Sequence, residues 1–316
     1  MSAGRRLPST PEPMARWRVR SGIELAGDSW GDPNGPLVLL QHGGGQTRHA
    51  WKGAGQTLGA AGYHAIAFDS RGHGDSDWAP DGDYSQDAMV DDLVSLVEVL
   101  GDRRPVLVGA SMGGGTSLVA AGEDRVDATA LVLVDIAPRV EPDGVKAISA
   151  FMNQRPEGFD TLEQVAEAIA SYQPHRQRPR NLDGLAKNVR LGDDGRYHWH
   201  WDPRFRTGPR DLDQRHARLE RCARALSLPT LLVRGGLSDL LTEAGAQDFL
   251  RLCPAAEYVN VAGAGHMVAG DRNDVFADSV IEFLTRTVPV GRAPLHASHE
   301  PRPADAAPTE RIIDVP

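Results

Sequence analysis

The chain has 316 residues, 41% of them hydrophobic, so it can bury a substantial core as one large domain or as one domain with an insertion. The formal net charge is −9, which argues against nucleic acid as a partner. The two cysteines, Cys222 and Cys253, are too few for a disulfide framework, so we expect a reducing compartment.

The sequence predicts neither export nor membrane attachment. Arg5 and Arg6 are followed by the proline-rich residues 7–13 instead of the apolar segment of a secretory signal. No apolar run elsewhere approaches the length that spans a bilayer. We therefore expect a cytoplasmic protein with no membrane partner.

Short apolar runs rich in branched residues recur along the chain and predict buried strands. An alternating stretch at 17–25 predicts a further hairpin strand. Apolar residues at helical spacing predict a helix at 85–100, with Ser85 as its N-cap and Gly101 beyond its end, and another helix at 274–286. Strands that alternate with helices predict an α/β fold, in which helices cover both faces of a mostly parallel, twisted sheet. The buried strands are predicted at 37–40, 63–68, 105–108, 131–135, 228–236 and 257–261.

The alternation breaks after Pro138, and the following segment contains helical patterns but no strong core strand. Thr161 and Gln164 form a capping box for one of these helices. The segment is therefore predicted to be a helical cap inserted into the core. The predicted division is a flexible N-terminal arm at 1–14, a core at 15–138 and 227–287, the cap at 139–226 and a C-terminal tail at 288–316.

A pentapeptide at 109–113 has the pattern G-x-S-x-G. A serine in this pattern lies on a sharp turn between a strand and a helix, and the two glycines leave room for that turn. Ser111 is therefore expected to expose its hydroxyl at the carboxyl end of the sheet. A dinucleotide-binding alternative is weak, because the glycine pairs at 53–55 and 263–265 lack the third glycine of G-x-G-x-x-G.

Five motifs lie beside the predicted strands: HGGG at 42–45, DSRGHGDS at 69–76, GASMG at 109–113, GGLSD at 235–239 and GAGH at 263–266. Together they resemble the α/β-hydrolase superfamily, in its branch with a serine nucleophile and a helical cap. The resemblance covers residues 17–287 and implies a catalytic triad that follows in the order serine, acid, histidine. Relatives that open epoxides or cleave carbon–halogen bonds use aspartate at the elbow, so the serine disfavours that chemistry.

The resemblance also implies a role for individual residues. Ser111 would be the nucleophile, and His266 would be the base that takes its proton and returns it to the leaving group. The oxyanion hole would consist of the backbone N–H groups of Gly44 and Met112.

Two aspartates are candidates for the acid that orients His266. Asp239 follows the strand at 228–236, Asp135 ends the strand at 131–135, and both precede the histidine. We favour Asp239, because two glycines before it let its loop turn inward, whereas a proline shortly after Asp135 restricts the approach there.

Other residues of the motifs are interpreted as structural. His42 and His73 are expected to bond to loop backbone. His198 and His200 lack a further ligand at metal-binding spacing, so we expect no metal and no cofactor. The charged residues expected to brace their loop are Asp69, Arg71 and Asp75.

Three tryptophans are candidates for the lining of a substrate pocket. Trp51 comes shortly after the HGGG loop and is a pocket residue by resemblance. Trp199 and Trp201 lie in the predicted cap, where they either line a pocket or pack the cap itself.

The expected function is hydrolysis of a carboxylic ester or related carbonyl compound through an acyl-enzyme. The expected partner is a small-molecule substrate, and the protein is expected to be a monomer or a homodimer. The same triad also serves relatives that hydrolyse lactones or the C–C bond of diketones. The fold sometimes serves as a ligand receptor, so a slow, receptor-like hydrolase is a further alternative.

Overall fold

The computed structural model describes residues 4–8, 10–172, 183–206, 211–271, 273–291 and 310–313. A nine-stranded sheet forms the centre of the fold, and two short strands pair separately. The strands are β1 Ala15–Arg18, β2 Glu24–Trp30, β3 Leu37–Gln41, β4 His64–Phe68, β5 Val106–Ala110, β6 Ala130–Val134, β7 Val189–Leu191, β8 Tyr197–Trp199, β9 Thr230–Gly235, β10 Glu257–Val261 and β11 Glu310–Ile313.

The large sheet has the strand order β1-β2-β4-β3-β5-β6-β9-β10-β11. β1 pairs antiparallel with β2, and β2 pairs antiparallel with β4. All the other pairs in this sheet are parallel. The α/β fold with a mostly parallel sheet is thus confirmed, and each buried strand lies within a residue or two of its predicted position.

Helices cover both faces of the sheet. The side chain of Ser85 accepts a hydrogen bond from the Ala88 N–H, so it caps α2 as predicted. The helix at the end of the core, α9, also lies where the sequence predicts it. The helices are α1 Lys52–Ala60, α2 Gln86–Val99, α3 Met112–Gly122, α4 Pro142–Asn153, α5 Leu162–Tyr172, α6 Leu212–Ala225, α7 Glu243–Leu252, α8 Val268–Asp271 and α9 Asn273–Thr287.

The core is divided by the sheet into two apolar layers. Successive residues of β3 point to opposite faces, with Leu39 in one apolar cluster and Val38 and Leu40 in the other. The first cluster is covered by α2, α3, α6 and α7, and the second by α1 and α9. Because both faces are buried, the strands read as continuous apolar runs and not as alternating ones.

The segment predicted as a cap, 139–226, differs from the expectation in two respects. It contains a short antiparallel pair, β7 with β8, besides α4 and α5. Its predicted last helix, α6, packs on α3 of the core, where a Cβ on Gly122 would lie 2.5 Å from the Cβ of Cys222. The residues of α6 therefore belong to the layer that covers the sheet, although they fall inside the predicted range 139–226.

Both ends of the chain make backbone pairs that the sequence did not predict. The N–H of Arg5 donates to the carbonyl of Leu191 in β7, and the N–H of Leu191 donates to the carbonyl of Arg5. Both N···O distances are 2.8 Å. The expectation of a loose arm is therefore wrong for this part of residues 1–14. In the predicted tail, residues 310–313 form β11 and pair with β10, whereas residues 292–309 and 314–316 lie outside the described residues.

Among the helices of the described ranges, none has both the length and the apolar composition needed to cross a membrane.

Candidate active site

Ser111 lies on the sharp turn between β5 and α3. Its backbone has φ +48° and ψ −107°, a conformation that a non-glycine residue rarely adopts. A Cβ on Gly109 would lie 2.4 Å from the carbonyl oxygen of Gly113, and a Cβ on Gly113 would lie 2.5 Å from that of Gln41. Both positions therefore require glycine, as the G-x-S-x-G pattern predicts. The serine is half-buried and lines a large cavity.

The acid that contacts the histidine is Asp135. Its Oδ2 lies 2.7 Å from Nδ1 of His266, and its side chain is completely buried. Two more donors hold the carboxylate: the Gly235 N–H, 2.9 Å from Oδ1, and the Ser238 hydroxyl, which donates to Oδ2. A buried carboxylate with three donors has a fixed orientation, so it also fixes the orientation of the imidazole.

Asp239, favoured in the sequence analysis, does not contact His266, and that prediction is wrong. Asp239 is exposed. The burial of Tyr172 and the nearby charge of Asp239 together raise the pKa of Tyr172 to about 12. The preceding residue, Ser238, is the one whose side chain turns inward to the acid. Asp135 makes this contact from a left-handed backbone with a φ of +50°, so the proline at 138 does not keep its side chain from the histidine.

The HGGG loop forms a tight turn in front of the serine. The N–H of Gln46 donates to the carbonyl of Gly43 at an N···O distance of 3.1 Å. Gly45 has a φ of +74°, as the third residue of a type II turn requires. The Gly43 carbonyl also faces Nδ1 of His42 at 2.8 Å. Because C=O and N–H of a trans peptide point in opposite directions, the Gly44 N–H points away from these partners.

The two predicted oxyanion donors have no acceptor among the described residues. Within this loop, the Gly43 N–H is bound by the Gln46 side chain and the Gly45 N–H by Nε2 of His73. The Gly44 N–H lies between them without a partner, and the Met112 N–H begins α3 without a capping side chain. Both residues line the same cavity as Ser111 and His266. Two N–H groups at such a place can bind a developing oxyanion.

His42 and His73 brace the loops around the site. Nε2 of His42 accepts the Ser70 N–H at 2.9 Å, and Nδ1 of His73 faces the Arg71 carbonyl at 3.1 Å. Burial lowers the pKa of His42 to about 4 and that of His73 to about 3. Both rings are therefore neutral near pH 7, and their bonds to loop backbone agree with the structural role predicted for them.

A buried ion network lies beneath these loops. Arg48 is fully buried, and its guanidinium contacts Asp69 at 2.6 Å, Asp75 at 2.9 Å and Asp28 at 3.1 Å. Arg71 pairs with Asp92 at 2.6 Å. The predicted bracing by charged residues is thus observed, but its central cation, Arg48, carries no sequence signal that would have revealed it. Burial without this many partners would be costly for such a cation.

The cavity has a volume of about 1480 Å³. Trp199 and Trp201 line it with stacked rings, whose centroids are 4.9 Å apart, and Phe151 lies against Trp199 at 5.3 Å. Met152 and Phe205, from the segment predicted as a cap, lie over the HGGG loop, where a Cβ on Gly44 would come within 4 Å of both. These two residues carry no motif and were missed by the sequence analysis.

Trp51 does not line this cavity, so its prediction as a pocket residue is wrong. Only 1% of its surface is exposed, and its ring packs 5.6 Å from that of Phe276 in the layer under α1 and α9. A short 3-10 helix, Arg48–Trp51, turns the side chain away from the loop that precedes it and toward the sheet.

His198 and His200 have partners other than a metal. His198 pairs with Asp194 at 2.9 Å, and His200 bonds to backbone. No cluster of three or more histidine, cysteine or acidic side chains suitable for a metal occurs in the part of the chain that the structure describes.

The fold and the site together define a class of protein. A model of the alpha/beta hydrolase fold family matches residues 36–272, which is most of the chain. The protein therefore belongs to the α/β-hydrolase family and is a hydrolase of that type.

Similar proteins include an esterase and a second hydrolase. The chain is 30% identical to an esterase of Mycobacterium tuberculosis, over 81% of this chain and 84% of that protein. It is 28% identical to a 3-hydroxybutyrate-oligomer hydrolase of Cupriavidus necator, over 77% and 86% of the two chains. The solved structure of E-2-(acetamidomethylene)succinate hydrolase superposes with a TM-score of 0.74 at 25% identity, over 85% of this chain and 98% of that one.

Proposed function

We propose that the protein is a serine hydrolase that cleaves a carboxylic ester through an acyl-enzyme, with Ser111 as nucleophile, His266 as base and Asp135 as the acid. The observation that carries this proposal is the buried contact of 2.7 Å between Asp135 and His266, because His266 and the strained Ser111 line the same cavity. A serine on a strained turn and an imidazole oriented by a carboxylate, lining one cavity, are the groups that an activated hydroxyl nucleophile requires.

The acylation step follows from this arrangement. Asp135 accepts the Nδ1 proton of His266, so Nε2 has a free lone pair and takes the proton of the Ser111 hydroxyl. The serine oxygen bonds to the substrate carbonyl carbon, and the N–H groups of Gly44 and Met112 bind the resulting oxyanion. The tetrahedral intermediate collapses, the C–O bond to the alcohol breaks, and His266 returns its proton to the departing alkoxide.

Deacylation repeats the sequence with water. Water attacks the acyl carbon while His266 takes one of its protons, and the second collapse breaks the bond to Ser111. The histidine then returns the proton to the serine oxygen, so the carboxylic acid leaves and the enzyme is restored.

Two findings support an ester as the substrate. The similar protein from Mycobacterium tuberculosis is named as an esterase, and that from Cupriavidus necator as a hydrolase of 3-hydroxybutyrate oligomers. The cavity wall near the HGGG loop is formed by apolar residues of the predicted cap, which suits the acyl chain of an uncharged ester. Met152 and Phe205 lie beside this loop, and Trp199 and Trp201 line the same cavity.

The test compares wild type and Ser111→Ala on a panel of p-nitrophenyl esters, lactones and a diketone. We expect the highest kcat/KM on esters, with turnover lost in Ser111→Ala and its melting temperature unchanged. Residual activity within tenfold of wild type would remove Ser111 from the mechanism. Preferred turnover of the diketone would replace ester cleavage by C–C bond hydrolysis.

A further inference from the structure

His200 of the cap contacts two loops of the core. It follows β8 and is almost fully buried, with 1% of its surface exposed. Its Nδ1 lies 2.8 Å from the Gly74 nitrogen, and its Nε2 lies 3.3 Å from the Gly45 carbonyl oxygen. Gly45 belongs to the HGGG loop at 42–45, whose Gly44 N–H is a proposed oxyanion donor. A side chain of the predicted cap therefore contacts this loop of the core directly.

These two contacts define the proton position on the ring. The Gly74 N–H can only donate, so Nδ1 of His200 accepts and carries no proton. Nε2 then carries the proton and donates to the Gly45 carbonyl. Burial lowers the pKa of His200 well below its usual value, so the neutral form that these contacts require is the one present at pH 7.

Gly45 is held on both sides. Its N–H is bound by His73 of the core, and its carbonyl is bound by His200 of the cap. The left-handed φ of +74° at Gly45 sets the turn that presents the Gly44 N–H to the cavity. Of the two side chains that bind Gly45, only His73 therefore comes from the part of the chain that carries the nucleophile.

Further bonds hold the cap residue in register with the core. Arg190 in β7 donates to the Gly74 carbonyl at 2.7 Å and to Asp75 at 2.8 Å. Trp201 lies edge-on to the ring of His200, with centroids 5.2 Å apart. Gly74 thus receives a cap residue at its carbonyl and another at its N–H, which leaves the imidazole little freedom to turn.

We propose that His200 is a positioning residue for the oxyanion hole, so that the cap completes the catalytic loop in addition to enclosing substrate. This inference rests on the proposed function, because the oxyanion matters only if Ser111 forms a tetrahedral adduct. Loss of the Gly45 anchor leaves the nucleophile and base intact but lets the Gly44 donor move out of line.

Three substitutions separate the two contacts of the ring. His200→Gln places an amide N–H near the Nε2 position and keeps a donor for the Gly45 carbonyl. His200→Asn places an acceptor near the Nδ1 position and keeps only the bond to Gly74. His200→Ala removes both. The matched control is His198→Ala, two residues away, whose side chain is partly exposed and pairs with Asp194.

The readouts are kcat and KM on a p-nitrophenyl ester, and Ki for a trifluoromethyl ketone, which forms a tetrahedral adduct with an oxyanion. Removal of a whole oxyanion donor costs about 10²–10³ in kcat, so we expect displacement of one to cost about 10–100-fold in His200→Ala and His200→Asn. Ki should rise by a similar factor while KM changes less than threefold. His200→Gln should stay within fivefold of wild type, and His198→Ala within twofold.

Each result decides for or against the proposal. If His200→Ala does not fold, the comparison of Gln with Asn at equal melting temperature gives the answer. Equal kcat and Ki in those two variants would overturn the positioning role, and a change confined to KM would assign His200 to substrate binding instead. Failure of wild type to bind the trifluoromethyl ketone would contradict the proposed function itself, which is a different result from loss confined to the variants.

Discussion

The position of the acid gives the sharpest single prediction, because the sequence and the structure favour different aspartates. In Asp135→Asn, the amide oxygen stays with the Gly235 N–H, which lies 2.9 Å from Oδ1. The amide NH₂ then takes the place of Oδ2, which lies 2.7 Å from Nδ1 of His266. A donor at that place forces Nδ1 to accept, so the ring proton moves to Nε2 and the lone pair that should take the serine proton is lost.

The size of the effect follows from this change of tautomer. Neutralising a triad aspartate with its shape retained lowers kcat by about 10⁴, and we expect a loss of that order in Asp135→Asn. Asp239→Asn is the matched control, because it makes the same chemical change on an exposed side chain with no contact to the histidine. We expect its kcat to stay within twofold of wild type.

The assay is steady-state hydrolysis of a p-nitrophenyl ester, with circular dichroism to show that both variants are folded. Pre-steady-state release of nitrophenol separates acylation from later steps, and the burst should be lost in Asp135→Asn alone. A loss of more than a hundredfold in Asp239→Asn, with Asp135→Asn within tenfold of wild type, would refute this reasoning.

Three further predictions concern residues around the candidate site and in the core. Ser238→Ala should lower kcat about tenfold at constant KM, because it removes one hydrogen bond to the triad carboxylate; an unchanged kcat would make that bond irrelevant to catalysis. Trp51→Ala should lower the free energy of unfolding by about 3–5 kcal/mol in urea titrations and leave KM unchanged. Trp201→Ala should instead alter KM or acyl-chain preference. A change of KM in Trp51→Ala with only a loss of stability in Trp201→Ala would exchange their roles. The lowered pKa values of His42 (about 4) and His73 (about 3) mean that the unfolded chain takes up protons below about pH 6.5 before the native one does. The free energy of unfolding should therefore fall between pH 6.5 and 4, so that the stability present above pH 6.5 is lost. Each of the two histidines contributes a fall of at most about 1.4 kcal/mol per pH unit. A melting temperature that stays constant or rises over that range would contradict this prediction.

Features set by local sequence could be predicted well. A buried parallel strand requires a continuous apolar run, and Leu37–Gln41 shows one. The elbow requires glycines on both sides of Ser111, because any Cβ would collide with backbone. Both requirements act over a few neighbouring residues, so they leave a clear mark in the sequence.

The choice of acid depends on tertiary structure and could not be predicted in the same way. Asp135 and Asp239 both follow strands at the same edge of the sheet, and the chain order allows either. The difference lies in the left-handed backbone of Asp135 and in the hydroxyl of Ser238, which bonds to its carboxylate. Neither feature leaves a pattern of spacing, and the glycines that favour Asp239 serve equally to bring Ser238 inward.

Trp51 shows the related limit of reasoning from proximity in the chain. It follows the HGGG loop closely, but it ends a short 3-10 helix and its side chain lies in the core beside Phe276. His200 is the reverse case, because it is distant from Gly45 in the chain and contacts it only through the fold of the cap. Three-residue strands such as β7 and β8 are also too short to show a period.

Covalent trapping shows whether His266 and Asp135 activate Ser111. Wild type, Ser111→Ala and Asp135→Asn are incubated with a fluorophosphonate, and the site and rate of labelling are followed by intact mass and peptide mass spectrometry. We expect one adduct, on the peptide that contains Ser111, with no adduct in Ser111→Ala and labelling slowed by at least a hundredfold in Asp135→Asn. An adduct on another residue, or equal labelling rates in wild type and Asp135→Asn, would contradict this expectation.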